Sequence, residues 1–311
     1  MDVLCVGQLA ADVLVRPVNQ VDFGVDTRRV EGIDIKNGGD CLNVALGLNK
    51  LGASVAFTGL VGEDQLGDYL GDVLTSAGID GTGLRRTAQA KTCTCLVLIN
   101  DKGDRAFFYY GGANDLFSLS DVDLAQVDHA KIVHVGGTYL LPKFDGEGAA
   151  RLFSEARKKG KLTSMDVTWD PAGRWLSVIE PCLEHLSFFM PSVNEAQQIA
   201  GTSVPQEIAA FFQERGVGTA VIKLGENGCY VKHHGEPGFF APAFRTEVVD
   251  TTGAGDSFVA GFLTGVLKGW EMQGCAELAC AVSAMNIRAV GATAGIPTFE
   301  EARQFIRSQK G

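Results

Sequence analysis

No run of more than three lysines or arginines occurs in the 311-residue sequence, and acidic residues outnumber basic ones to give a formal net charge of -10. Nucleic acid and acidic membrane surfaces are bound mainly through clustered positive charge. The composition therefore argues against both as partners. An acidic protein of this kind must bind an anion locally, through backbone N–H groups or a few selected cations.

Also missing are a basic leader and an apolar run long enough to cross a bilayer, because the opening residues MDVLCVGQLAADVLV are interrupted by polar side chains. The eight cysteines show no CxxC spacing, and the CxC formed by Cys93 and Cys95 has no second cluster to complete a metal site. Alternation along a strand places this pair on one face, which predicts a structural or lid-lining role. Reduced thiols favour a cytoplasmic location.

What the sequence contains instead is an alternation of short apolar runs with stretches of helical spacing. Strands are predicted at residues 2–7, 54–62, 131–137, 162–168, 186–192 and 219–225. Helices are predicted at residues 40–52, 145–160, 207–216 and 253–269. Strands that alternate with helices predict an α/β fold with a mainly parallel sheet.

Two regions, at about residues 12–37 and 91–112, show strand patterns without helices between them. Such insertions in an α/β chain can pair into a small separate sheet. No linker rich in proline and serine divides the chain. We therefore expect a single domain over residues 1–311, with a lid formed by the two insertions.

Glycines and polar side chains meet where the first long helix begins, in the segment NGGDCLN. Gly39 allows close approach to the backbone, and Asp40 and Asn43 lie one helical turn apart and can face the same side. Carboxylate and amide groups suit sugar hydroxyls, although an N-capped helix would show the same residues. Asp12 follows the first strand, at the sheet edge where α/β folds bind ligands, but a solvated loop aspartate would show the same pattern.

The segment DTTGAGDSF, residues 250–258, begins an apolar helix. The small residues Gly253, Ala254 and Gly255 leave the first N–H groups unobstructed at the positive end of the helix dipole, which predicts a phosphate site. The same dipole favours the ionised form of Asp256. A carboxylate repels a bound phosphate, so its presence indicates a general base for a hydroxyl that attacks phosphorus. The alternative is an acidic residue that only starts a helix.

Two segments, NGGDCLNVALGLNKLGASVAFTGLVGEDQLG and DTTGAGDSFVAGF, resemble the signature regions of the PfkB, or ribokinase-like, carbohydrate kinases. The resemblance runs through nearly the whole chain and, within the family, is closest to bacterial sugar kinases. It implies a three-layer α/β/α core with a mainly parallel sheet and a small β-sheet lid. It also implies ATP-dependent phosphorylation of a hydroxyl on a small sugar or sugar acid, with Mg²⁺.

The resemblance assigns roles by position. It implies Asp256 as catalytic base and the amides of Gly253, Ala254 and Gly255 as the anion hole. For the sugar it implies Asp12, Gly39, Asp40 and Asn43, with the lid residues Cys95 and Val97 above it. For the nucleotide it implies Lys223, Gly225 and Gly228, whose segment KLGENG can equally be a simple hairpin turn. Asp250 and Thr252, with the loop at residues 288–295, match a monovalent-cation site for K⁺ or Na⁺.

Two positions depart from the family pattern. In PSVNE, Ser192 stands where an asparagine linked to Mg²⁺ and phosphate is expected, while Glu195 is kept as an indirect Mg²⁺ ligand. The segment VGGTY carries no acid where the glutamate that contacts the sugar is expected in ribokinase itself, which argues against ribose. For a carboxylated sugar, Arg105 or Lys36 on the lid is the nearest cation.

Three alternatives stay open beside a sugar kinase. A nucleoside kinase of the same family would use the aromatic segment RAFFYY as a base pocket. A ligand-binding protein on a kinase fold would not need Asp256, and an oxidoreductase would need a GxGxxG after the first strand. The lid also offers a surface for a homodimer.

Overall fold

The alternation of strands and helices is present along residues 1–310, the part of the chain that the computed structural model describes. The strands are β1 (Val3–Gly7), β2 (Ala10–Arg16), β3 (Gly32–Gly38), β4 (Val55–Gly62), β5 (Asp80–Thr87), β6 (Thr94–Ile99), β7 (Arg105–Tyr110), β8 (Ile132–Thr138), β9 (Leu162–Val167), β10 (Phe188–Phe189), β11 (Thr219–Lys223), β12 (Cys229–His233) and β13 (Phe239–Ala241). The α-helices are α1 (Asp40–Lys50), α2 (Gln65–Ala77), α3 (Gln126–His129), α4 (Glu147–Lys158), α5 (Leu176–Leu183), α6 (Val193–Ala200), α7 (Pro205–Glu214), α8 (Ala254–Leu267), α9 (Met272–Asn286) and α10 (Phe299–Lys310).

Nine strands form the main sheet in the order β13-β12-β11-β10-β9-β8-β1-β4-β5. The strands from β11 across to β5 pair in parallel, whereas β12 and β13 are added at one edge as antiparallel strands. Parallel strands need both faces covered, which explains the fully buried runs of β1, β4 and β8. The mainly parallel α/β fold is confirmed.

Helices cover both faces of this sheet. One apolar cluster joins the sheet to α1, α2, α8, α9 and α10. A second cluster joins the opposite face to α3, α4, α5, α6 and α7. The molecule therefore has the three-layer arrangement that was expected, and the apolar stripe of α8 lies in the first of the two clusters.

The two regions that lacked helices form a separate sheet of four strands in the order β3-β2-β6-β7. Its outer pairs, β2 with β3 and β6 with β7, are antiparallel, and its central pair is parallel. Large apolar side chains stay exposed on this sheet, among them Ile33, Phe107 and Phe108. The predicted small second sheet is thus present, and its first strand, β2, begins two residues before the expected boundary.

The expected strand at residues 186–192 contains only two residues, Phe188 and Phe189. The N–H of Met190 still donates to the Met165 carbonyl at 3.1 Å. Pro191 has no N–H to continue the ladder, and the next residue already begins the cap of α6. None of the helices in residues 1–310 is long and apolar enough to cross a membrane.

Candidate active site

A cleft of about 600 Å³ lies where β9 and β11 end and where α1, α6 and α8 begin. Ten of the predicted site residues border it: Asp40, Ser192, Glu195, Lys223, Gly225, Gly228, Gly253, Ala254, Gly255 and Asp256. The other seven predicted residues do not line it: Asp12, Gly39, Asn43, Cys95, Val97, Asp250 and Thr252. Residues more than 200 positions apart are therefore brought to one edge of the sheet, as the parallel topology requires.

The first turn of α8 is open toward the cleft. Its cap is Gly253, whose φ of 71° is in the left-handed region. A side chain there would also collide with the Ala292 carbonyl group, so this position requires glycine. The N–H of Ala254 donates to the Thr251 carbonyl at 3.2 Å, whereas the N–H groups of the next two residues have no acceptor within the helix. A group that accepts hydrogen bonds can bind there.

Asp256 lies in this first turn and is 9% exposed. Its Oδ2 accepts a hydrogen bond from Asn43 Nδ2 at 2.8 Å. Burial raises the pKa of Asp256 to about 7, although the Asn43 hydrogen bond and the Lys223 charge act in the opposite direction. Burial of this carboxyl thus acts against the helix dipole, which favours its ionised form.

Asp40 faces the same cleft from the start of α1. The cap of that helix is Gly39, with a φ of 92° and no side-chain hydrogen bond, so Asp40 does not cap α1. Its N–H donates instead to Gln8 Oε1 at 3.2 Å, which connects α1 to the loop after β1. Burial raises the pKa of Asp40 well above its ordinary value, and the Asp256 carboxylate raises it further.

A buried ion pair lies at the floor of the cleft. Lys223 Nζ is 2.5 Å from Asp166 Oδ2, and the two side chains are 12% and 5% exposed. Burial alone would lower the pKa of Lys223, but the carboxylates of Asp166 and Glu195 raise it. A side chain on Gly255 would come within 3.2 Å of Nζ, so the ammonium lies directly over the first turn of α8. The lysine is thus protonated and close to the predicted phosphate position.

Ser192 and Glu195 form a capping box at the start of α6. The Ser192 N–H donates to Glu195 Oε2 at 2.8 Å, and the Glu195 N–H donates to Ser192 Oγ at 3.4 Å. One carboxylate oxygen of Glu195 is therefore occupied within the helix cap. Both residues, and Asn194 between them, border the cleft.

The segment KLGENG is both a hairpin turn and a wall of the cleft. It joins β11 to the antiparallel strand β12, with Gly225 and Gly228 at φ values of 59° and 86°. A side chain on Gly228 would come within 2.6 Å of the Ala243 nitrogen. The two interpretations of this segment are therefore compatible.

Asp12, Cys95 and Val97 lie on the four-stranded sheet. In the β2–β6 register, Asp12 pairs with Cys95, and Leu14 pairs with Val97 two residues further along. Because side chains two residues apart on a strand point the same way, Asp12, Cys95 and Val97 share one face of the sheet. Burial raises the pKa of Asp12 to about 6. Its carboxylate packs over Gly38, where a side chain would collide with it, and it forms no hydrogen bond or ion pair within residues 1–310.

Asp250 is paired with an arginine from the four-stranded sheet. Arg105 Nη2 is 2.6 Å from Asp250 Oδ1, and the carboxyl group is almost fully buried. The other expected lid cation, Lys36, is exposed and lies opposite Asp12 in the β2–β3 register. Arg105 is thus bound at the position where a monovalent cation was expected, and it is not free to meet a sugar carboxylate.

Sequence reasoning missed two residues of the site, Asp166 and Gln8. An acid at the end of an apolar strand was a usable signal for Asp166, because that end lies at the ligand-binding edge. Gln8 follows β1 in the same way; besides Asp40, it contacts the Tyr109 hydroxyl at 3.4 Å through Nε2. No cluster of three or more His, Cys, Asp or Glu side chains in residues 1–310 is arranged to hold a metal ion alone.

The model of the pfkB family of carbohydrate kinases matches residues 1–299. The chain belongs to the PfkB family of carbohydrate kinases. An uncharacterized sugar kinase of Archaeoglobus fulgidus is 31% identical over 256 residues, which are 81% of this chain and 98% of that protein. A 2-dehydro-3-deoxygluconokinase of Bacillus subtilis is 28% identical over 278 residues, 86% of each chain.

Solved structures agree with this PfkB fold. Ribokinase of Arabidopsis thaliana, complexed with ribose and ATP, superimposes with a TM-score of 0.86 and 23% identity over 98% of both chains. At this identity the similarity concerns the fold of the PfkB protein. The ribokinase-like core and its additional small sheet are confirmed.

Proposed function

We propose that this PfkB kinase transfers the γ-phosphoryl group of ATP to a hydroxyl of a small sugar, with Asp256 as the general base. The observation that carries the proposal is the placement of Asp256. It is buried at the open N-terminus of α8, hydrogen-bonded to Asn43, and has a pKa near 7. A base with a pKa close to the working pH is both available and able to take the proton.

In the proposed reaction the sugar hydroxyl gives its proton to Asp256 while its oxygen bonds to the γ-phosphorus and the bond to ADP breaks. Negative charge on the transferred group then faces the N–H groups at the start of α8 and the ammonium of Lys223. The absence of bulky side chains at Gly253, Ala254 and Gly255 leaves these N–H groups accessible to the transferred group. The Asn43 hydrogen bond holds the carboxylate in one orientation.

ATP is placed along the wall formed by Lys223, Gly225 and Gly228. Glycines there expose backbone for the nucleotide, and Lys223 keeps its charge through the Asp166 pair. Mg²⁺ in such sites binds to phosphates, water and one or two carboxylates, and it neutralises charge on the phosphates. Glu195 and Asp166 border the cleft and fit that incomplete protein shell.

The sugar is placed on the lid side of Asp256, among Asp12, Gly39, Asp40 and Asn43. The Asp12 carboxylate is mostly buried and unpaired, so sugar hydroxyls would supply the hydrogen bonds that it lacks. Cys95 and Val97 would cover the sugar with small apolar surfaces. A neutral sugar is favoured over a sugar acid, because Arg105 is paired with Asp250.

The test is a panel of neutral sugars, sugar acids and nucleosides, each scored for sugar-dependent ADP formation from ATP. We expect turnover with a neutral sugar and none with the corresponding sugar acid. Turnover confined to nucleosides would instead support the nucleoside kinase alternative. Absence of turnover across the panel, with ATP and Mg²⁺ binding intact, would favour a ligand-binding protein.

A matched pair of variants checks the substrate class. Lys36→Met removes the exposed lid cation and is expected to leave the rate with a neutral sugar unchanged. If the enzyme does accept a sugar acid, the same change raises its KM for that acid alone. Asp12→Asn should raise KM for the neutral sugar by about fivefold to hundredfold, since a lost hydrogen-bond partner in a closed site costs roughly 1–3 kcal/mol.

A further inference from the structure

Asp250 connects three segments of the chain just before α8. Its Oδ1 accepts the Thr252 N–H at 2.8 Å, and its Oδ2 accepts the Gly291 N–H at 2.8 Å. Arg105 Nη2 adds a third donor, 2.6 Å from Oδ1. Burial alone would raise the pKa of Asp250, but these donors hold it below its ordinary value. The carboxylate is therefore ionised and fully engaged.

The surroundings of Asp250 do not fit a monovalent cation while Arg105 is present. Such a cation needs several oxygen ligands that replace its water shell. The nearby Ile287 carbonyl already accepts two backbone N–H groups, at 2.8 and 3.1 Å, and the Ala292 carbonyl accepts Asn286 Nδ2 at 2.8 Å. The guanidinium supplies the positive charge at this carboxylate, and these two carbonyl oxygens already accept hydrogen bonds.

The same carboxylate determines where the anion-binding turn lies. The Thr252 N–H bond fixes the residue that precedes Gly253, the cap of α8. A side chain on Gly253 would come within 2.8 Å of Ala292 Cα, so this turn packs closely against its neighbour and has little freedom. A displacement of Asp250 would therefore displace the N–H groups that face the cleft.

Arg105 brings the four-stranded sheet into this arrangement. It is the first residue of β7, and the neighbouring strand β6 carries Cys95 and Val97 on its sugar-facing side. Its side chain is 23% exposed, so the ion pair is partly shielded from water. A planar guanidinium with fixed donor directions orients a carboxylate better than a spherical ion does.

We propose that Arg105 is a positioning residue that supplies, from the lid, the fixed positive charge expected at Asp250 from a monovalent cation. The inference rests on the proposed kinase function. Phosphoryl transfer is then independent of K⁺ and Na⁺. Closure of the lid over the sugar also orders the anion-binding turn, through the Arg105–Asp250 contact.

The test compares the parent enzyme with Arg105→Ala in tetramethylammonium chloride and in KCl of equal ionic strength. The parent rate should be the same in both salts. Arg105→Ala should lose about tenfold to hundredfold in kcat in tetramethylammonium, as small misplacements of reacting groups do. KCl or guanidinium chloride should restore most of this loss, because the vacated carboxylate then accepts an external cation. KM for ATP should change little.

Arg16→Ala is the matched control, because it removes another arginine–aspartate pair of the same sheet, that with Asp34. The thermal midpoint can be measured without substrate. KCl should raise the thermal midpoint of Arg105→Ala and should leave the midpoints of the parent and of Arg16→Ala unchanged. Arg105→Lys keeps the charge, so its rate should remain nearly the same in tetramethylammonium chloride and in KCl. This variant keeps the test decisive if Arg105→Ala does not fold.

A parent enzyme that requires K⁺, or an Arg105→Ala loss that neither salt restores, would overturn the inference while leaving the kinase proposal intact. Identical behaviour of Arg105→Ala and Arg16→Ala in both readouts would overturn it as well. Failure of every sugar to be phosphorylated would contradict the proposed function. The thermal measurement would still decide the role of Arg105 in that case.

Discussion

At the scale of single residues, the site depends on a carboxyl group whose properties come from burial. Asp256 is expected to be catalytic because it combines a hydrogen bond from Asn43, a raised pKa and a position beside free helix N–H groups. The DTTGAGDSF pattern predicts the position of this aspartate. It does not reveal the pKa, because burial by residues far apart in the sequence determines it.

The first prediction concerns Asp256→Asn. An amide keeps the shape and the Asn43 contact but cannot take a proton, so turnover should fall by about two orders of magnitude or more. Sugar and ATP affinities, measured by calorimetry, should largely survive. Asp72→Asn changes an exposed helix aspartate of α2 in the same way and should leave turnover unchanged. A folded Asp256→Asn enzyme within about tenfold of the parent would remove Asp256 as the base.

The second prediction follows from the direction of the pKa shift. The folded-state pKa of Asp256, about 7, lies above its ordinary value of 3.8, so the ionised group opposes folding. This cost is complete above pH 7 and fades as pH falls toward 3.8. Asp256→Asn should therefore have a higher thermal midpoint than the parent at pH 8, and the difference should shrink at pH 5. A constant difference would contradict the raised pKa.

The same shift predicts how the rate depends on pH. Below about pH 7 the protonated carboxyl cannot accept a proton, so kcat/KM for the sugar should fall about tenfold per pH unit. The small residual rate of Asp256→Asn should not show this inflection near pH 7. A parent profile that stays flat between pH 5.5 and 8 would show that another group takes the proton.

At the scale of elements, the sequence predicts best what local patterns determine. Patterns only a few residues long predict three features correctly: the apolar runs of β1, β4 and β8, the glycine at the start of α8, and the two insertions without helices. The pairs Lys223–Asp166 and Arg105–Asp250 were not predictable, since each depends on how distant strands and loops are brought together. β10 was predicted too long, because Pro191 ends its ladder.

The third prediction concerns the start of α6. Asparagine caps helices as well as serine does, so Ser192→Asn should keep stability while adding an amide toward the cleft. We expect a lower Mg²⁺ concentration for half-maximal rate. Ser192→Ala, the matched variant, should lose about 0.5–2 kcal/mol of stability with the cap. An unchanged Mg²⁺ requirement in Ser192→Asn would indicate that Asn194 or water already fills this role.

At the scale of the whole molecule, an acidic protein has to attract a polyanion. The net charge is -10, and Asp40, Asp166, Glu195 and Asp256 border the cleft. In the proposed function, the attraction for ATP is therefore local, from Lys223 and the N-terminus of α8. This arrangement explains how strong acidity can coexist with the proposed binding of ATP.

The last prediction tests whether the four-stranded sheet closes over the sugar. A phosphoryl donor beside an open site would react with water, so a kinase needs a cover that closes when the acceptor is present. Three side chains of the sheet bond to the core: Arg105 reaches Asp250, Tyr109 reaches Gln8, and Asn37 reaches Asn43 and Thr293. The sheet also keeps exposed apolar side chains. These few contacts fit an element that can open.

Amide hydrogen exchange measures this closure directly. In β2, β3, β6 and β7, exchange should slow when a saturating neutral sugar is added. Helix α4, which packs on the face of the main sheet opposite to α1 and α8, serves as the internal control. Protection should weaken in Arg105→Ala, which lacks the contact to Asp250. Protection that follows protein concentration instead of sugar would indicate a homodimer formed through this sheet. Unchanged exchange at saturating sugar would rule out a lid that closes over the substrate.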